Sequence, residues 1–190
     1  MKERVWILLG EKPEKALVTG ALEEGFHTFV EGTGKGKGKG RAEGEGEGVG
    51  DLARVRVLQI DADGVHEGDR LVAPRIDIRG PQDQSRALDL AGKHEAVLVH
   101  AADWRVIPYE NLIAAYRRKG TRLLAEARDV ADAKLLLETL ETGVDVVLLP
   151  LAHAREAART LSGATGQEAL VEARVTSVRP VGLGDRACLD

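Results

Sequence analysis

Short apolar runs alternate with amphipathic stretches along most of the chain. The run Val5–Leu9 has the length of a buried strand, and residues 13–24 place apolar side chains at helical spacing. Residues 27–30 predict a second strand after the stop signal of Gly25. The beginning of the chain therefore predicts a β-α-β unit.

The alternation becomes regular further along the chain. The pattern predicts strands over residues 96–99, 122–127 and 144–149, and helices over residues 82–92, 109–119, 129–141 and 153–161. Buried strands that alternate with helices are typical of a parallel sheet. We therefore expect the α/β class, as a mostly parallel sheet or a partial TIM-like barrel with flanking helices.

Two segments interrupt this regularity. Residues 32–50 alternate glycine with lysine and then glutamate, so they have nothing to bury and predict a flexible surface loop. Their glycine spacing matches neither a dinucleotide motif nor a phosphate-binding loop. Residues 54–60 and 69–78 predict two strands, and the turn signal at residues 61–64 favours a hairpin between them.

The end of the chain has a different pattern. Residues 169–181 predict a longer strand, so we expect one α/β domain over residues 1–165 and the start of a β segment over residues 166–190. Residues 182–187 formally match G-x-G-x-x-A after that strand. Only four residues follow Arg186, which leaves no room for the helix of a dinucleotide site. A tight turn is the alternative.

Composition and charge narrow the function classes. The net charge of −4 gives no basic surface for nucleic acid. The single cysteine, Cys188, cannot form an internal disulfide and favours a reducing compartment. The apolar run near Met1 is too short for a signal peptide or a membrane span. We expect a cytoplasmic protein that acts on a small molecule, without nucleic acid or membrane partners; the oligomeric state is not predicted.

Polar residues at the predicted strand ends are candidates for chemistry, because parallel α/β folds bind ligands beyond the carboxyl ends of their strands. After one strand this rule selects His100, Asp103 and Trp104. It selects Glu126 and Arg128 after the next strand, and His153 more weakly after the third. The carboxylates of Asp103 and Glu126 could abstract a proton, bind an amine or hold a divalent metal. Asp103 could instead cap a turn.

Glu126 is the strongest of these candidates, because it interrupts an apolar run near the end of a strand. Asp129, close to it in sequence, is predicted to be the N-cap of the following helix.

Three segments resemble one enzyme family, the archaeal-type or type II 3-dehydroquinate synthases. Residues 103–114, DWRVIPYENLIA, resemble the family signature D-W-K-[IV]-I-P-L-E-N-L-I-A. Residues 126–149 are similar to the strand–helix–strand that follows it. Residues 180–190, PVGLGDRACLD, resemble P-V-G-M-G-D-R-V-C-V-D.

The resemblance implies a reaction and a cofactor. The family deaminates 2-amino-3,7-dideoxy-D-threo-hept-6-ulosonate oxidatively with NAD and cyclises it to 3-dehydroquinate, which feeds the shikimate route to aromatic amino acids. A related branch makes 3-amino-4-hydroxybenzoate and is the alternative. A non-catalytic remnant is a third interpretation, because Arg105 stands where the family commonly has Lys and a guanidinium does not deprotonate. Members also continue into a second, mostly β portion.

Motif position and strand-end placement together give six candidate site residues. Acid or base roles are assigned to Asp103, Glu126 and Asp185, a carboxylate-binding role to Arg186, and further substrate contacts to Asn111 and Glu110. NAD is the expected cofactor by resemblance, and a divalent metal is possible.

Overall fold

Eight strands close into a barrel in the order in which they occur along the chain. The computed structural model describes residues 2–32, 55–101, 109–139 and 142–162. The strands are β1 (Val5–Leu9), β2 (Thr28–Gly32), β3 (Arg56–Ile60), β4 (Gly64–Glu67), β5 (Arg70–Ile78), β6 (Ala96–Ala101), β7 (Arg122–Glu126) and β8 (Val146–Pro150).

Five α-helices lie within the described ranges. They are α1 (Lys15–Glu23), α2 (Pro81–Leu90), α3 (Tyr109–Lys119), α4 (Val130–Glu138) and α5 (Ala154–Ser162), and short 3-10 turns cover Lys2–Arg4 and Leu151–His153. None of the helices in these ranges is long and apolar enough to cross a membrane.

Strand direction gives the barrel one functional end. β1, β2 and β3 pair in parallel, as do β5 to β8, and β8 pairs in parallel with β1 to close the ring. The carboxyl ends of these seven strands therefore share one end of the barrel, which we call the mouth. The α/β class with mostly parallel strands is confirmed, and the arrangement is a closed barrel.

The predicted hairpin is wrong in one respect. Residues 54–60 and 69–78 do form β3 and β5, but β4 lies between them and pairs antiparallel with both. β4 has only four residues, Gly-Val-His-Glu, so it carries too little hydrophobic pattern to be recognised in the sequence. The turn at its start is confirmed, since Asp61 Oδ1 accepts hydrogen bonds from the backbone N–H groups of Asp63 and Gly64.

The strands are buried on both faces. One core cluster contains Ile7, Phe29 and Val97 together with helix residues, so it fills the layer between barrel and helices. The alternating residues, such as Leu58, Leu98, Leu124 and Leu148, form a second cluster that fills the barrel interior. This double burial explains why the strands read as continuous apolar runs.

The amino end of the barrel is filled by an aromatic side chain. Trp6 belongs to the interior cluster and is 5% exposed. The guanidinium groups of Arg56 and Arg122, the first residues of β3 and β7, lie 5.7 and 5.9 Å from its ring centroid. These cation–π contacts cover the ring on the side away from the mouth.

The seam between β1 and β8 has an additional connection. The guanidinium of Arg4, which precedes β1, donates hydrogen bonds to the carbonyl oxygens of Thr142 at 2.7 Å and Val144 at 2.5 Å, just before β8. Arg4 therefore holds the start of β1 to the segment that leads into its neighbour.

Most predicted elements agree with the structure to within a few residues. The strand over residues 5–9 and the helix over residues 109–119 are confirmed with the predicted bounds. Asp129 is the N-cap of α4, with its Oδ1 2.8 Å from the Asp132 nitrogen. The predicted loop, apart from its first residue Gly32 in β2, and the strand over residues 169–181 lie outside the described residues, as does the predicted domain boundary.

Helix α3 is anchored by two tyrosines. Tyr109 and Tyr116 are 5% and 0% exposed, and the Tyr116 hydroxyl donates a 2.7 Å hydrogen bond to the Ala87 carbonyl oxygen. Burial raises the pKa of both phenols above the ordinary value, and the carboxylates of Glu126 and Asp132 raise the pKa of Tyr109 further.

Replacing Gly64 should destabilise the barrel. Its φ is +148°, and a Cβ there would lie 2.1 Å from the Ala73 carbonyl oxygen in the neighbouring strand. We expect Gly64→Ala to lower the free energy of unfolding by about 3 kcal/mol, through strain and the forced separation of β4 and β5. The measurement is denaturant unfolding. The matched control is Gly10→Ala, whose Cβ meets nothing within 4 Å; equal effects of both changes would contradict this account.

Alkaline titration should detect the buried phenols. The chain has two tyrosines, and both carry a raised pKa when folded. Their contribution to stability is fully present below the unfolded value of about 10 and is lost as pH rises through the folded pKa. We expect tyrosinate absorbance near pH 10 in denaturant but not in the native protein. A native tyrosine that ionises in that range would contradict this, and Tyr116→Phe identifies which one.

Candidate active site at the barrel mouth

Polar side chains from three neighbouring strands meet at the mouth. Arg75 follows the interior residue Ala73 by two positions on β5, and Glu126 follows Leu124 by two on β7. His100 occupies the corresponding position on β6, two after Leu98. Because alternate residues of a strand face the same side, all three project from the interior face of the barrel.

Glu126 is the centre of this group. Its Oε2 is 3.0 Å from His100 Nδ1, and its Oε1 is 2.9 Å from an Nη atom of Arg75. Arg75 in turn donates from Nε to Asp77 Oδ1 at 3.0 Å. We call these four residues, Arg75, Asp77, His100 and Glu126, the mouth cluster.

The two oxygens of Glu126 have different contacts. The one near Arg75, Oε1, is fully enclosed and has no hydrogen bond within the described part of the chain. Arg75 and Glu126 therefore form an ion pair, but the orientation of the two groups is not that of a hydrogen bond. The Glu126 side chain is only 19% exposed, so its carboxylate is largely withdrawn from water. The guanidinium of Arg75 offsets the cost of this burial.

A pocket lies beside the mouth cluster, between the carboxyl ends of β6 and β7 and the first turns of α3 and α4. Its lining residues are His100, Ala101, Tyr109, Glu126, Ala127, Arg128, Asp132 and Leu136. Arg128 and Asp132 form an ion pair across one turn, with Nε 2.5 Å from Oδ2. The pocket therefore combines an apolar floor with two carboxylates, a phenol and an imidazole.

The predicted site residues have different positions. Glu126 lies at the strand end where it was expected, whereas Glu110 and Asn111 are exposed on the first turn of α3 and do not line the pocket. Asp103, Asp185 and Arg186 lie outside the described residues.

The other strand-end candidates also differ. His100 belongs to the mouth cluster, and Arg128 lines the pocket. His153 follows β8, but its Nδ1 is 3.8 Å from Glu156 on the next turn, and it does not line the pocket.

Sequence reasoning missed Arg75, Asp77 and Tyr109. Arg75 and Asp77 alternate with Pro74, Ile76 and Ile78 at the end of a predicted strand, so their spacing carried a signal. The sequence did not show which face of β5 points into the barrel. The burial of Ala73, which lies on the same side of the strand as Arg75 and Asp77, shows this in the structure. Tyr109 is the first residue of the predicted helix over residues 109–119, and nothing in the helical pattern marks it as a pocket residue.

A metal site needs several ligating side chains close together. Within the described ranges there is no group of three or more His, Cys, Asp or Glu side chains that could hold one. At Glu126 the guanidinium of Arg75 already occupies the position beside Oε1 that a cation would take.

Most of this chain is similar to known proteins. Residues 1–163 match the family model described as the 3-dehydroquinate synthase II N-terminal domain. The chain is 38% identical over 122 residues to the "3-dehydroquinate synthase" of Methanocella arvoryzae, covering 62% of this chain and 32% of that protein. It is 32% identical over 142 residues to the "3-dehydroquinate synthase homolog" of Persephonella marina, covering 73% of this chain and 41% of that protein.

A third relative is covered over a similar share of its length. The corresponding protein of Archaeoglobus fulgidus, also named "3-dehydroquinate synthase", is 37% identical over 119 residues, which cover 60% of this chain and 34% of that protein. The alignments span 32% to 41% of the length of these curated relatives. No solved structure matches the chain significantly. The chain belongs to the 3-dehydroquinate synthase II family, whose N-terminal domain matches its residues 1–163.

Proposed function

We propose that this chain provides the N-terminal barrel of a 3-dehydroquinate synthase. The enzyme would deaminate 2-amino-3,7-dideoxy-D-threo-hept-6-ulosonate oxidatively, with NAD as the oxidant, and cyclise the product to 3-dehydroquinate in the shikimate pathway. Family membership and the names of the relatives support this assignment. The observation that carries it is the mouth cluster, in which Glu126 contacts both an imidazole and a guanidinium at the strand ends.

The ring closure defines what the site must do. The substrate has a methyl group, C7, next to the C6 ketone, and deamination leaves a carbonyl at C2. Closure removes a proton from C7, joins C7 to C2 and places a proton on the new C2 oxygen. The step therefore needs one group that can take and return a proton, held close to both carbonyls. The mouth cluster and its pocket offer groups of this type.

The described pocket does not fit the pyrophosphate of NAD. The carboxylates of Glu126 and Asp132 would repel it, and the guanidinium of Arg128 is already paired with Asp132. NAD is therefore proposed from the family resemblance, and no step at the described residues is assigned to it.

The remaining proposed roles come from motif position. Asp103 and Asp185 are proposed as acid or base groups, and Arg186 as the partner of the substrate carboxylate. Asn111 and Glu110 are proposed as substrate contacts, and their exposure on α3 leaves them accessible.

Two broader expectations accompany this proposal. We propose residues 1–165 as one α/β domain that acts in a reducing compartment such as the cytoplasm, in keeping with the single cysteine. A divalent metal does not fit Glu126, since the guanidinium of Arg75 lies 2.9 Å from its Oε1, and no step is assigned to a metal.

The reaction can be tested directly. Purified chain, shown to be folded by circular dichroism, should convert the amino-dideoxy-heptulosonate in the presence of NAD. NADH and 3-dehydroquinate should form in equal amounts, because each deamination precedes one ring closure. Absence of turnover by the folded chain would overturn the proposal. Formation of 3-amino-4-hydroxybenzoate without NADH, from that branch's own precursor, would favour the alternative enzyme.

Glu126 should be essential for turnover. We expect Glu126→Gln to lower kcat by about 10²–10⁴-fold, since the amide carries no charge and cannot assist proton transfer. The matched control is Glu95→Gln, because Glu95 lies just before β6 at the opposite end of the barrel and is 80% exposed. Wild-type kcat in a folded Glu126→Gln protein would remove Glu126 from the site.

A further inference from the structure

We propose that His100 is the group that transfers the proton during ring closure, and that Glu126 is its positioning residue. This inference rests on the proposed function and assigns the acid and base work of the same site. It differs from the sequence-based expectation, which gave that work to Glu126 itself. Three features of the mouth cluster support the reassignment.

The contact between the two residues favours one state of the imidazole. An ionised carboxylate attracts an N–H group and repels a nitrogen lone pair, so the 3.0 Å distance between Glu126 Oε2 and His100 Nδ1 favours a proton on Nδ1. In the neutral ring the lone pair is then on Nε2, which points away from Glu126. His100 also lines the pocket. The basic nitrogen is therefore the one that Glu126 does not contact, in a residue that lines the pocket.

The exposure of the two side chains also favours His100 as the group that transfers the proton. The His100 side chain is 40% exposed, whereas the Glu126 side chain is 19% exposed and its Oε1 is fully enclosed. Both oxygens of Glu126 are in contact with another side chain, Oε2 with His100 and Oε1 with Arg75. A proton acceptor must come within hydrogen-bond distance of the group that it deprotonates. His100 can do so without breaking the cluster, and Glu126 cannot.

Arg75 and Asp77 complete the support for this arrangement. Asp77 accepts from Arg75, Arg75 contacts Glu126, and Glu126 contacts His100, so contacts link three neighbouring strands. Because strands of a closed barrel move little relative to one another, this chain of contacts fixes the ring orientation better than loop residues would. The carboxylate also stabilises the imidazolium that forms when Nε2 takes a proton.

The proposed step is balanced within the substrate and the ring. The Nε2 lone pair takes a proton from C7, and the electron pair of that C–H bond forms the C7–C2 bond. The π electrons of the C2 carbonyl move to its oxygen, which takes the proton back from Nε2–H. The enzyme returns to its starting state, and no oxidant is consumed in this step.

Replacing His100 with Asn tests the assignment, because the amide nitrogen of Asn can occupy the place of Nδ1 beside Glu126. Nothing replaces Nε2. We expect His100→Asn to keep the melting temperature of the wild type and to lose about 10²–10⁴-fold in kcat with little change in KM. A purely structural role would leave kcat unchanged. The matched control is His27→Asn, an exposed histidine that precedes β2 at the other end of the barrel.

The outcomes separate the two proposals. Loss of kcat in His100→Asn, with an active His27→Asn protein, supports the inference. A folded His100→Asn protein with wild-type kcat overturns it while leaving the proposed synthase function in place. Absence of turnover by the wild-type chain overturns the proposed function instead.

A second measurement tests the geometry without turnover. Nitrogen NMR distinguishes the two imidazole tautomers, and the signal that disappears in His100→Asn identifies His100 among the five histidines. We expect a proton on Nδ1 and none on Nε2 in the neutral ring. A neutral ring that carries its proton on Nε2 would overturn the inference, because the basic nitrogen would then face Glu126.

Discussion

The pairing of β8 with β1 is the constraint on which the rest of the structure depends. An open sheet of the same strands would place β1 and β8 at its two edges, with unpaired backbone groups. Closure removes those edges and brings the carboxyl ends of seven strands into one ring. Polar side chains from β5, β6 and β7 can then converge, although the residues that carry them are far apart in the sequence.

The mouth cluster shows how a charge is kept at the edge of an apolar interior. Below Glu126 the barrel is filled by residues such as Leu98, Leu124 and Leu148. A carboxylate there is costly unless another group compensates its charge, and the guanidinium of Arg75 does so from β5, two strands away. The same contacts that make Glu126 tolerable also orient the imidazole, so stability and chemistry depend on one set of interactions.

Much of the barrel could be predicted from the sequence because its signals are local. Apolar runs with the length of a strand, helical spacing and the N-cap of Asp129 all appear within a few residues. The short β4 could not be found in this way, since its place depends on pairing with two other strands. Closure itself was not predictable either, because it depends on the sum of twist and register over all eight strands.

The site was predictable to a smaller extent for the same reason. Glu126 and His100 could be selected because each follows a buried strand, and the strand-end rule needs only the order of elements. Their contact, and the part played by Arg75, depends on the register between β5, β6 and β7, which is a long-range property. Glu110 and Asn111 were chosen from motif position, and they lie on the exposed side of α3. A sequence motif records which residues occur together, but it does not record which way their side chains face.

The seam held by Arg4 has a consequence for how the ring is ordered. In the other strand pairs the partners are at most 28 positions apart in the sequence, as Thr28 and Arg56 are, and the turns around β4 are only a few residues long. Val5 and Val147, which pair across the seam, are separated by almost the whole described chain. Because the entropic cost of closing a loop grows with its length, this pairing is the most demanding one in the ring. The hydrogen bonds of Arg4 to the carbonyl groups before β8 lie at this pairing and stabilise it against the entropic cost.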